Sequence, residues 1–342
     1  MRNTLVFIIL LLLTIVAFCL DIALGSVSIP WEVLKGAIFD PSSQPEEWRY
    51  ILWHMRLPNA LAAAMVGGGL AVAGLAMQTL FRNPLADASV LGVSGGASLG
   101  VALFMMGGVL VSGGAMSNPS LWQTAGMLLS SIVGAAFILL LIALMARSMK
   151  DMVSILIVGV MISFISGAMV SLLQYYAPAE VVKSFQVWSF GSLEGNDAES
   201  VLLMACTLLP ASLLFLLLAK QLNALLIGEQ YALTVGVSIK RVRLFVILLA
   251  GIVVGVCTAF TGPIAFVGIA VPHVVRFLFG KSNHRVLIPM TLLVGACFML
   301  CCHMLTHVIK SGVVLPINIV TGIIGAPILI SIILRKEQRS WR

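Results

Sequence analysis

Two histidines four residues apart, His303 and His307, are the ionisable side chains that fall well inside an apolar run. Ionisable groups in such runs serve as proton relays or ion ligands when they act at all. A lone histidine on an apolar face is more commonly a packing residue with its hydrogen bond satisfied, and that reading is preferred to a relay. Cys297, Cys301 and Cys302 share the same run, and Cys19, Cys206 and Cys257 lie in others. Zinc needs a closed tetrahedral ligand set, and no second Cys/His pair stands at ligand spacing. The cysteines therefore read as small buried apolar residues, and no metal site is expected. Gly280-Lys281-Ser282 imitates the end of a Walker A loop, but Val275 occupies the position that needs glycine. HExxH is absent, and the carboxylates lie mostly in loops with no obvious buried pair. The chain is expected not to be an enzyme.

The elements that hold these residues are dictated by composition. Of 342 residues 60% are hydrophobic and 10% are charged, with a mean hydropathy of +1.11. Soluble domains carry roughly 25% charged residues. The charges cluster and leave apolar windows, each long enough to cross about 30 Å of hydrocarbon as a helix. The fold class is an all-α polytopic membrane protein, one transmembrane domain over 1–342. Ten spans are expected, at about 4–24, 57–80, 88–107, 121–146, 152–175, 200–219, 242–261, 264–279, 287–307 and 315–334. Residues 1–24 resemble a signal peptide, but the apolar run is long and Asp21 precedes the cleavage-like "ALG", so a retained first span is preferred.

An even number of spans puts both termini on one side. Of the 20 Lys and Arg residues, only Lys35, Arg49, Arg56, Lys183 and Lys310 then fall on the other side. The positive-inside rule makes the termini cytoplasmic. The net charge of +7 is thus topology, and no nucleic acid is needed to explain it. In the non-cytoplasmic connection Tyr176 to Glu199, Trp188 and Phe190 suit the interface, and Asn196-Asp197-Ala198-Glu199 reads as a polar helix cap.

Gly92, Gly96 and Gly100 are spaced by four and are expected on one helix face for close packing; Gly67-Gly68-Gly69 with nearby alanines does similar work one span earlier. Asn83-Pro84 ends the second span, and Asp87 and its neighbours open the third. Gly262-Pro263 and Pro272, and Pro316 and Pro327, break two later segments. These kinks suit either a moving pathway or irregular packing. The cytoplasmic connection 220–243 contains Gly228-Glu229, a short helical stretch Gln230 to Thr234, Val235-Gly236, and a second short stretch into Lys240-Arg241-Val242-Arg243. Two short helices joined at a glycine make either a rigid knob or a plain amphipathic loop.

These blocks together resemble a known family. Met55 to Gly100, "WSFGSL" (Trp188 to Leu193), "LLIGEQYALTVGVSIKRVRL", Gly262 to Pro289 and "LPINIVTGIIGAPILI" stand in family order over nearly the whole chain. They are similar to the permease subunits of type II ATP-binding-cassette importers, which bring in ferric siderophores, haem and cobalamin. The resemblance implies a homodimer around a central pathway, in the bacterial cytoplasmic (inner) membrane. It implies two ATPase subunits below, carrying ATP and Mg, and a periplasmic or lipid-anchored substrate-binding protein outside. It assigns ATPase coupling to Gly228, Glu229, Gln230, Ala232, Gly236, Val237, Lys240 and Arg241. It assigns binding-protein docking to Arg56, with the family's second arginine replaced by Asn59, and with His307 or Lys310 as substitutes for ninth-span charges. His303, His307 and Val314 stand where the family often has Asp, Arg and Glu. The cytoplasmic gate maps onto Asp151, Met152 and Val153. The alternative is an ion-coupled secondary transporter or channel working without an ATPase; the scarcity of charge inside the spans weighs against it.

Overall fold

The structure is a computed structural model that describes residues 2–25, 33, 35–36, 45–108, 121–149, 152–279, 283–308 and 314–340. Asp151, Lys310 and Gly280-Lys281-Ser282 lie outside the described residues. The described chain is helical: α1 (Arg2–Ala23), α2 (Glu46–Tyr50), α3 (Leu57–Leu80), α4 (Val93–Ala102), α5 (Leu121–Ser148), α6 (Met152–Tyr176), α7 (Ala179–Ser189), α8 (Ala198–Leu217), α9 (Ala219–Ile227), α10 (Glu229–Thr234), α11 (Ile239–Thr261), α12 (Val267–Phe279), α13 (His284–Val308) and α14 (Ile317–Ser340). Among the described residues, seven helical stretches are long and apolar enough to cross a membrane; Val93–Gly107, Val267–Phe279 and Ile317–Ser331 are apolar but shorter. Their outward residues stay apolar, as Phe164, Ile165 and Leu172 on α6 show, which fits a lipid solvent better than water.

The chain divides into two compact units. The first comprises Met1–Val72, Ser192–Leu216 and Ala265–Arg342. Here α13 is the central element, contacted by α1, α12 and α14. The first half of α3 also meets it without side chains between. A Cβ on Gly67 would strike the Gly295 carbonyl, and one on Gly295 would sit 2.5 Å from the Gly67 carbonyl oxygen. Gly68 faces the Leu292 carbonyl in the same way. In lipid, where apolar burial supplies little drive, such backbone approach is what holds helices together.

The helix entering α3 is widened over Ile51–Arg56, where the Leu57 N–H bonds the Leu52 carbonyl five residues back. Pro58 is the physical reason. It has no N–H for the His54 carbonyl, and its ring crowds that carbonyl, so a wider turn relieves both defects. Arg56 sits at the end of this turn and is buried rather than exposed.

The second unit comprises Ala73–Gly191 and Leu217–Ile264. Its centre is α4, packed on α5, α6 and α11. The three glycines expected on one face are divided. Gly92 lies outside the helix, with φ +86°, joining the short turn Ser89–Leu91 to α4, and its open side faces the Gly159 carbonyl and Ser163 of α6. Gly96 and Gly100 lie inside α4 and face α5. A Cβ on Gly96 would come within 2.6 Å of the Gly134 carbonyl oxygen, and one on Gly100 would strike the Ser130 carbonyl. The third helix therefore begins at Val93, not at Asp87. Asp87 instead closes the preceding turn, its carboxylate accepting from the Ala88 N–H at 2.8 Å and the Ser89 hydroxyl at 2.6 Å.

Candidate functional site

In the first unit, four ionisable side chains from three parts of the chain converge. Asp21 is buried near the end of α1, Glu194 lies in the connection before α8, and His303 and His307 are one turn apart on α13. His303 Nδ1 is 2.9 Å from both oxygens of Asp21. The other ring nitrogen, Nε2, is 3.2 Å from Glu194 Oε1. His307 Nε2 approaches the same oxygen at 3.0 Å, but off the line that a hydrogen bond needs. Asn59 Nδ2 donates to the other oxygen, Glu194 Oε2, at 2.7 Å, and Asn59 Oδ1 accepts from the Asn196 N–H. Each carboxylate oxygen of Glu194 thus has its own neighbours.

His303 is neither solitary nor on an apolar face, as its sequence context suggested. It is held between two carboxylates, and Asp21 with His303 forms the buried pair that the sequence did not reveal. A carboxylate inside a membrane helix costs about 2.5–3.5 kcal/mol on insertion scales, so Asp21 needs the imidazole as partner. Glu194 lies outside the helices. Burial alone would raise its carboxyl, but the two imidazoles beside it outweigh that and hold it well below the usual carboxylate range.

Three of the residues assigned to docking by resemblance lie at this cluster. Arg56 Nη1 donates to the Leu24 carbonyl at 2.9 Å, and a side chain at Gly25 would collide with its guanidinium. Asn59 and His307 are also buried. All three turn their polar groups inward. The signal sequence reasoning missed is Asp21, which is 282 positions from its partner and carries no local pattern.

In the second unit, the connection 220–243 folds as α9, a glycine joint, α10 and the start of α11. Gly228 is fully extended, separating α9 from α10. At the end of α10, Gly236 takes φ +81°, its N–H bonds the Leu233 carbonyl, and the Val237 N–H bonds the Ala232 carbonyl. That is the glycine-terminated cap expected of a stiff helix end. The second short stretch expected before Arg243 is simply the first turn of α11. Ala232 is buried beneath α10, while Tyr231, Leu233 and Val235 project outward with Glu229, Gln230, Lys240 and Arg241. Glu229 pairs with Arg243 at 3.5 Å, and the Arg82 guanidinium donates twice to the Leu225 carbonyl, at 2.9 and 3.2 Å. The result is a braced, exposed knob with an apolar tip and a basic flank. Of the residues assigned to the gate, Met152 opens α6 and Val153 is exposed.

Similar sequences and a similar solved structure are those of membrane transport proteins. The hemin transport system permease protein HmuU of Yersinia pestis is 34% identical over 333 residues, 96% of each chain. The vitamin B12 import system permease protein BtuC of Klebsiella pneumoniae is 32% identical, over 96% of this chain and 93% of its own. A solved structure of a transporter assigned to the metal-chelate ABC type, in an inward-facing conformation, superposes with a TM-score of 0.83 at 30% identity, covering 96% of this chain and 99% of its own. Residues 12–335 match the FecCD transport family, and the chain belongs to that family.

Proposed function

We propose that this chain is the membrane-spanning permease subunit of an ATP-driven importer for a bulky metal chelate: a ferric siderophore, haem or cobalamin. Two copies surround the pathway in the bacterial cytoplasmic membrane. Two ATPase subunits carrying ATP and Mg²⁺ dock below, and a soluble binding protein delivers cargo from outside. The three shorter apolar helices complete ten spans, since irregular ends are tolerated at membrane depth where protein covers them. Both termini are then cytoplasmic, as is the knob.

The observation that carries this reading is the knob itself. An exposed apolar tip on a braced helix, flanked by Lys240 and Arg241, suits a cleft on another protein. Gly228 and Gly236 set its angle, and Ala232 and Val237 hold its base. ATP binding shifts the ATPase pair between two arrangements, the knob follows, and the pathway changes its open side. The gate is assigned to Asp151, Met152 and Val153. The outer end near Arg56, Asn59, His307 and Lys310 receives the binding protein.

The test is co-purification with the ATPase together with uptake into proteoliposomes. Leu233→Asp should abolish ATPase association while leaving the thermal stability of the permease unchanged. Uptake should be blocked by vanadate. Uptake driven by an ion gradient alone, without an ATPase, would establish the ion-coupled alternative instead.

A further inference from the structure

We propose that Glu194, His303 and His307 form a binding site for a divalent transition-metal ion of the zinc type. The donor atoms are His303 Nε2, His307 Nε2 and Glu194 Oε1. All lie within 4.8 Å of one another, and the oxygen is 3.2 and 3.0 Å from the two nitrogens. Tetrahedral zinc with ligands at about 2.0–2.1 Å needs donors roughly 3.3 Å apart, so small side-chain rotations close the set. Two histidines four apart on one helix face are a recurrent way of presenting paired nitrogens to zinc.

A second observation points to a ligand. His307 is buried, yet neither ring nitrogen has a hydrogen-bond partner among the described residues. A buried imidazole with both nitrogens unsatisfied is costly unless something fills the space it faces. Its Nε2 faces Glu194 Oε1.

The surroundings are those of a metal site. Asp21 on His303 Nδ1 fixes the tautomer that leaves Nε2 free to ligate, the carboxylate–histidine pairing that supports zinc ligands. Asn59 occupies Glu194 Oε2 and so aims Oε1 at the histidines. The Glu194 side chain is 34% exposed, which leaves a route for the ion and a fourth position for water. A divalent ion also balances the two carboxylates, Asp21 and Glu194. Arg56, which also bonds the Leu24 carbonyl, lies close enough to feel both carboxylates.

Without metal, His303 can carry a proton on each nitrogen, one toward each carboxylate. Binding replaces the Nε2 proton, which leaves to solvent, so metal and proton compete. The groups in this competition are Asp21, Glu194, His303 and His307, with Arg56 beside them.

The experiment is Co²⁺ titration of the full-length chain in detergent, followed by visible absorption, with Zn²⁺ displacement. This reads the site independently of transport. One Co²⁺ per chain is expected, with ligand-field bands of a nitrogen–oxygen set and no sulfur-to-cobalt charge-transfer band from Cys297, Cys301 or Cys302. Affinity should rise from pH 6 to pH 8. His307→Ala should lower it at least 100-fold in a protein that still unfolds cooperatively in detergent. Asp21→Asn should lower it about 10–100-fold. Absence of Co²⁺ binding, binding with the sulfur band, or binding unchanged in His307→Ala would each overturn the proposal.

Discussion

His303 Nδ1 sits 2.9 Å from both carboxylate oxygens of Asp21, joining the first long helix to α13 across 282 residues of sequence. Both side chains are buried, so the pair is an all-or-nothing arrangement: breaking one partner strands the other. Asp21→Leu should therefore destabilise the chain by about 3–5 kcal/mol, while Asp21→Leu combined with His303→Leu should recover much of that loss. Thermal unfolding of the single and double variants in detergent checks this, and strictly additive losses would refute it.

Arg56 was expected at an outer docking surface, but it donates to the Leu24 carbonyl from a buried position. Arg56→Gln should cost about 1–3 kcal/mol of stability, the penalty for losing a charged hydrogen bond inside the protein. A purely docking role would instead lower binding-protein affinity, more steeply with salt, at unchanged stability. Measuring unfolding and association on the same preparation separates the two.

Gly96→Leu should abolish folding or assembly, because even a Cβ there meets the Gly134 carbonyl and Ile138. Gly107→Ala, where nothing lies within 4 Å, should be tolerated. Equal yields of the monodisperse protein from both variants would contradict the packing described for α4 and α5.

Asp197 caps α8 through its bond to the Ser200 N–H at 2.9 Å. The Ser200 side chain, and next this backbone bond, lower the carboxyl below its usual value. A lowered carboxylate stabilises fully above its unfolded value, about 3.9, and the contribution is lost as pH falls through the folded value. Asp197→Ala should cost about 0.5–2 kcal/mol at pH 6 and less as the pH falls below the unfolded value. A loss that does not change with pH would exclude the ionised cap.

How much of this was legible in the sequence depends on how far each feature reaches along the chain. Charge gaps located the long helices because transfer into lipid acts on each segment by itself. The cap at Asp197 and the glycine end of α10 at Gly236 were visible for the same reason: each is settled within four or five residues. The Gly92, Gly96 and Gly100 spacing misled because periodicity assumes that the backbone is already helical. At Gly92 the chain takes φ +86°, so that glycine serves a turn and a different neighbour. Arg56 and His303 were read from their types alone, whereas their behaviour is fixed by Leu24, Asp21 and Glu194, and no local pattern announces such partners. Asp21 had entered only as an argument about cleavage. Its partner came from fold, not from spacing.

The two bonds from the Arg82 guanidinium to the Leu225 carbonyl make the knob part of a truss. Arg82 is exposed, so each bond is modest in strength, but two bonds to one carbonyl mean that a sideways load on α10 is not taken up by flexing of the end of α9 alone. The load passes instead through Arg82 into the segment that follows α3. The knob and the segment after α3 are thereby tied by a direct side-chain contact.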